Sequence, residues 1–177
     1  MEVERLYDWR LNIDQILEMQ RWLQDRVSRS ERVTSPCFIV GVDIATGKDG
    51  GMTLVATMVS SYPRLGLVEM AVAQGEFDFP YIPELLSFRD PPLILGACGK
   101  LSVTPDLILV DEQRVTHPRR MGLACHLCLL TDTSTIDYAK PRFCGSHRLL
   151  GNKPGGYAEM VGSGENIGVA LCGLGLA

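Results

Sequence analysis

No apolar stretch in this chain of 177 residues approaches the roughly 18 that a membrane-spanning helix requires. The longest, Leu123 to Leu130, is eight residues long and contains His126. The start, Met1 to Arg5, is mixed in charge with no apolar core behind it, so no secretory signal is expected and the chain reads as a soluble cytoplasmic protein. Positive charge is not in excess: 17 Lys and Arg face 21 Asp and Glu, a net charge of −4, which argues against broad coating of nucleic acid. There is no internal repeat, low-complexity segment or clear domain boundary. The glycines near 162–168 and 173–175 do not follow a strand-to-helix pattern, which excludes a dinucleotide-binding loop. With 46% apolar and 21% charged residues, disorder is excluded as well, and the length suits one domain, residues 1–177.

What is present begins with an amphipathic pattern over 12–28. Ile13, Ile16, Leu17, Leu23 and Val27 keep helical spacing, Asn12 and Gln15 suit a capping box, and Trp9 and Trp22 are expected to seat the helix on a core. Residues 38–45 predict a strand. Lys48, Asp49, Gly50 and Gly51 predict a hairpin turn into strands at about 52–60 and 66–74, a three-stranded meander. Short helices are predicted at 84–89 and 91–99, the second capped by Asp90 before Pro91. Leu107 to Val110 reads as a buried strand and Pro118 as the opening of a helix through Cys128. Strands are predicted at 134–139 and 166–172, with 144–156 as loop. The order predicts an α/β fold with a mixed sheet.

Two aspartates resist a structural explanation. Asp43 follows Phe38 to Val42, and Asp111 follows Leu107 to Val110; both runs read as strands buried on both faces. An ionised carboxylate buried without a partner costs several kcal/mol, so a cation should meet each, either an Arg or Lys or a metal ion. If the strands are neighbours, the carboxylates converge where ligands of α/β sheets gather, and paired carboxylates with an open face suit Mg²⁺. His117, Pro118, Arg119 and Arg120 place potential donors at a helix start, where phosphate is favoured, and Lys140 follows a strand end. Although the chain is acidic overall, residues 111–153 hold 7 Lys/Arg against 4 Asp/Glu. A rival constellation is Cys125 and Cys128 with Cys144 and His147, close to a zinc spacing; against it, mid-helix cysteines at this spacing are expected to face different ways.

Taken together, Gly41-Val42-Asp43, Pro80-Tyr81-Ile82-Pro83, Leu86 to Asp90, Pro105 to Asp111, His117 to Ala124 and Ala139-Lys140 resemble endonuclease V in order and approximate spacing, across about residues 10–170. The resemblance implies a ribonuclease H-like fold: a three-stranded antiparallel meander plus parallel strands, flanked by helices. It implies a Mg²⁺-dependent endonuclease, with Mn²⁺ able to substitute. Its substrates are DNA or RNA containing deaminated bases such as inosine, nicked at the second phosphodiester bond on the 3′ side. Carried over by position, Asp43 and Asp111 match metal-binding aspartates, Asp90 stands where the family has glutamate, and Lys140 and His117 fall near the scissile phosphate. Tyr81, with Pro80, Ile82 and Pro83, matches a wedge loop beside the lesion. Arg119 and Arg120 add positive charge for substrate. Several departures point to weakened catalysis: the shorter Asp90, and Glu84, Glu112, Arg114 and Asp137 where the pattern has glycine. The resemblance also implies a domain lacking the usual C-terminal strand and helix. The alternatives are a catalytically silent relative that binds nucleic acid and, third, a zinc-stabilised interaction domain.

Overall fold

A computed structural model of the chain describes all residues except 2, 5, 29, 31, 48–51, 78, 81, 112–118, 139–144 and 174–177. It divides into two compact units, Met1–Ala139 and Lys140–Ala177. The hairpin turn expected at Lys48 to Gly51 falls outside the described residues.

In the first unit, α1 spans Ile13–Gln24 and opens with the expected capping box. Asn12 Oδ1 accepts the Gln15 N–H and Gln15 Oε1 accepts the Asn12 N–H, each at 2.9 Å. Ile16, Gln20 and Leu23 form the buried stripe at helical spacing. The two tryptophans do not seat the helix as expected: Trp9 is 37% and Trp22 46% exposed. Trp22 falls off the stripe and instead carries the Arg26 guanidinium 3.7 Å from its ring centre.

The strands β1 (Phe38–Thr46), β2 (Met52–Ser61) and β3 (Leu67–Glu76) form the antiparallel meander. β4 (Leu107–Asp111) and β5 (Ser134–Tyr138) join it in parallel, in the order β3-β2-β1-β4-β5. The mixed sheet expected from the sequence is therefore formed. Its inner face presents Val40, Val42, Val55, Val59, Ile108 and Val110, packed under two helices, α3 (Pro91–Cys98) and α4 (Leu123–Thr131). Small residues on β3 let α3 lie close. A Cβ built on Gly96 would sit 3.9 Å from the Ala73 methyl, and one built on Gly75 would be 2.8 Å from Leu93 Cδ2. Ahead of α3 lie a 3₁₀ turn, Pro83–Leu85, and a single-turn helix, α2 (Leu86–Arg89). Asp90 occupies the N-cap position of α3 but makes no capping bond with its side chain.

The outer face of the sheet corrects a sequence expectation. The β1 and β4 runs are not buried on both sides. Met52, Leu54, Met58, Met70, Val72, Leu109 and Ile136 are 36–56% exposed on that face. The helix expected from Pro118 starts later, with Gly122 as N-cap, because Arg120 takes a left-handed φ of 52° that breaks helical geometry. In the second unit, β6 (Ser146–His147) lies in what reads as loop, and β7 (Tyr157–Gly162), missed in the sequence, pairs with β8 (Glu165–Leu171). Among the described residues no helix is long and apolar enough to cross a membrane.

The two faces should answer differently to truncation. Ile108→Ala, on the inner face, is expected to cost about 2–5 kcal/mol in urea unfolding, whereas Leu54→Ala should stay within about 0.5 kcal/mol. A comparable loss at Leu54 would mean that the outer face is covered in solution.

Candidate functional site

The parallel pairing of β1 and β4 builds the site. Ile39 lies opposite Leu107, and the register runs to Val42 opposite Val110. One step further stand Asp43 and Asp111, on neighbouring strands and on the same face, because side chains alternate along each strand. Val42 and Val110 point into the core; the two aspartates point the other way and are exposed. The premise that burial forces a cation onto each carboxylate therefore fails. The register replaces it, since like charges placed side by side across strands repel. Asp43 Oδ1 accepts the Ile44 N–H at 2.9 Å. Among the described residues neither carboxylate forms an ion pair with a Lys or Arg.

Asp90 differs. It is 7% exposed at the break between α2 and α3, and its Oδ1 has no hydrogen-bond partner. Burial pushes its carboxyl up to about 6, opposed by the adjacent Arg89, whose Nε lies 3.9 Å away. No three His, Cys, Asp or Glu side chains among the described residues come together as a metal-holding group. The structure thus joins Asp43 and Asp111 and does not bring Asp90 into a ready triad with them. The same finding applies to the zinc constellation, of which Cys144 lies outside the described residues. Contrary to the expectation that Cys125 and Cys128 face different ways, both line one cavity of about 430 Å³ with Thr135, Asp137 and Arg32.

Of the other expected site residues, Tyr81, His117 and Lys140 lie outside the described residues. Pro80 is exposed, Pro83 opens the 3₁₀ turn, and Ile82 is half-buried against the apolar cluster that includes Ile16, Leu85 and Met121. Arg119 is engaged on two sides: its Nε donates to Gln20 Oε1 at 2.6 Å and one terminal nitrogen meets Glu84 Oε2 at 3.0 Å. Gln20 in turn donates to the Glu84 carbonyl at 2.9 Å. Arg120 is half-buried in its left-handed turn. Gln20, fully buried on α1, was not foreseen; a lone polar residue on the apolar stripe of a helix was the signal. Asp137 is also more than a stray charge. It is half-buried on β5 and accepts the Ala124 N–H, yet one of its oxygens has no partner.

The endonuclease V family model matches residues 21–173. Endonuclease V of Nostoc punctiforme is 36% identical over 172 residues, covering 97% of this chain and 78% of that protein. That of Dehalococcoides mccartyi is 36% identical over 171 residues, covering 97% and 77%. Among solved structures, endonuclease V from Streptomyces avermitilis superposes with a TM-score of 0.85 at 35% identity over 97% of this chain and 76% of its own. A Ciona intestinalis endonuclease V, solved with a 24mer DNA containing an inosine followed by a ribo-adenosine, gives 0.67 at 27% identity over 74% and 59%.

Burial pushes the Asp137 carboxyl up to about 7, so the folded protein keeps this proton to a higher pH than the unfolded chain does. Stability should therefore fall as pH rises from about 4 to about 7, by on the order of 2–4 kcal/mol, and Asp137→Asn should remove that fall. Urea unfolding of both proteins across this range checks it; parallel pH profiles would contradict it.

Proposed function

The chain belongs to the endonuclease V family, and we propose that it is a metal-dependent endonuclease that nicks DNA or RNA at the second phosphodiester bond 3′ to a deaminated base such as inosine or deoxyinosine. The observation that carries this reading is the side-by-side placement of Asp43 and Asp111 on an open face of the sheet. Two hard oxygen donors with room for water and phosphate oxygens suit Mg²⁺, with Mn²⁺ as substitute. Asp43 and Asp111 would hold the ion, and Asp90 would add a third carboxylate. When bound, the ion supplies activation of water and stabilisation of charge on the phosphate.

The chain's own residues do the rest. By the family resemblance, Lys140 would add positive charge and His117 an imidazole near the scissile phosphate. Tyr81, flanked in sequence by Pro80, Ile82 and Pro83, would offer a flat apolar face where an extruded base leaves a gap in the stack. Arg119 and Arg120 meet the backbone. The residue type at position 90 favours a slow enzyme: Asp90 is one methylene short of glutamate, and a misplacement of ~1 Å costs about a hundredfold in rate.

A strand-specific nicking assay on inosine and deoxyinosine oligonucleotides tests the reading. Asp43→Ala and Asp111→Ala should lose nicking by at least about a hundredfold while retaining binding, and Asp90→Glu should raise the rate of the parent protein. A parent that binds but never nicks with Mg²⁺ or Mn²⁺ would be the silent relative; robust turnover with Mg²⁺ would refute the impairment.

The Glu84 carboxylate pairs with Arg119 and would compete there with a backbone phosphate. Glu84→Gln should tighten oligonucleotide binding and steepen its log–log salt dependence by about 0.7–0.9, one phosphate contact. Arg119→Gln should cancel that gain in the Glu84→Gln background. An unchanged slope in Glu84→Gln would show that the ion pair does not compete with phosphate.

A further inference from the structure

The buried imidazole of His126, on α4, belongs to none of the roles above. It is fully buried among aromatic rings, with the Phe88 centroid at 4.5 Å, Tyr7 at 5.6 Å and Trp9 at 5.9 Å. Both of its nitrogens are used. Nδ1 meets the Ser87 carbonyl oxygen, and Nε2 lies 2.7 Å from the Tyr7 hydroxyl. A carbonyl only accepts, so Nδ1 carries the proton. Desolvation lowers the imidazole to about 4 and keeps it neutral at physiological pH, so Nε2 accepts from Tyr7.

The reason Ser87 needs such a donor is in the sequence. In a continuous helix the carbonyl of residue 87 would accept from the N–H of residue 91, but residue 91 is proline and has none. The preceding carbonyl, on Leu86, does receive its helical bond, from the Asp90 N–H at 3.0 Å. The ladder therefore fails at Ser87, one turn before the carboxylate that the proposed activity uses. A buried carbonyl without a partner would be destabilising and leave the turn free to shift.

We propose that His126 is a positioning residue: its Nδ1–H replaces the N–H missing at Pro91 and fixes the α2–α3 break from which Asp90 would reach a divalent ion. This rests on the reading of Asp90 as a metal ligand. It predicts that a donor at the Nδ1 position matters and that imidazole volume alone does not suffice. Asn carries its amide where Nδ1 stands; Gln carries its amide one bond further, where Nε2 stands.

Mn²⁺ binding to the purified, folded variants, measured by calorimetry or electron paramagnetic resonance, decides the matter, with thermal unfolding recorded beside it. His126→Asn should bind Mn²⁺ within about threefold of the parent and His126→Gln about tenfold or more weakly, as for lost supporting hydrogen bonds around metal ligands. Pro91→Ala, which supplies the missing N–H, should restore affinity in the His126→Gln background. Equal affinities for Asn and Gln, whether both intact or both lost, would overturn the assignment. If His126→Gln does not fold, a tenfold loss in His126→Asn alone overturns it. Asp90→Asn separates the two levels: if it leaves Mn²⁺ affinity unchanged, the ligand reading of Asp90 fails, whereas a loss there with an intact His126→Gln rejects only the positioning role.

Discussion

Everything at this site depends on two strands running parallel in one register. Four residue pairs, from Ile39 with Leu107 to Val42 with Val110, zip β1 to β4 and leave Asp43 and Asp111 at adjacent ends. Their valine neighbours are anchored by core packing on one face, so the carboxylates must emerge together on the other. A slip of one residue would send one of them into the apolar core, where an ionised carboxylate is prohibitively costly. Hydrophobic packing on the inner face thus enforces electrostatic repulsion on the outer one, and a cation between the two carboxylates would relieve it.

A second constraint acts through proline. Pro91 and Pro92 stop the short α2 and restart the chain as α3, and the break leaves Ser87 short of a donor. The donor comes from α4, nearly forty residues later, and its imidazole is held in turn by Tyr7 from the start of the chain. Three segments distant in sequence therefore meet at the turn that carries Asp90. Beside them, Gln20 joins α1 to Arg119 and to the Glu84 backbone. Directional hydrogen bonds such as these tie buried segments to one arrangement more strictly than apolar contacts do.

Local signals were readable in the sequence. The Asn12–Gln15 capping box, the strand-forming run at 38–45 and the apolar run into Asp111 each mark their element by short-range chemistry. What was not readable required knowledge of partners. Trp22 looks like a core anchor until the buried stripe is known to run through Ile16, Gln20 and Leu23. Leu107 to Val110 looks buried on both sides because nothing in the run tells that helices cover a single face. The start of α4 turns on the left-handed conformation of Arg120, a residue type with no preference for it. Asp43 and Asp111 could be singled out from the apolar runs before them, but the cause of their pairing, a parallel register, is a long-range property of the sheet.

Three methionines, Met52, Met58 and Met70, are about half exposed on the outer face of the sheet, the face from which Asp43 and Asp111 also project. Thioethers in such positions oxidise to sulfoxides, which turns flexible apolar groups polar. Dilute peroxide followed by mass spectrometry would record a footprint of whatever covers this face, since a protected thioether stays reduced. The sheet thus carries its own chemical reporters beside its two acids.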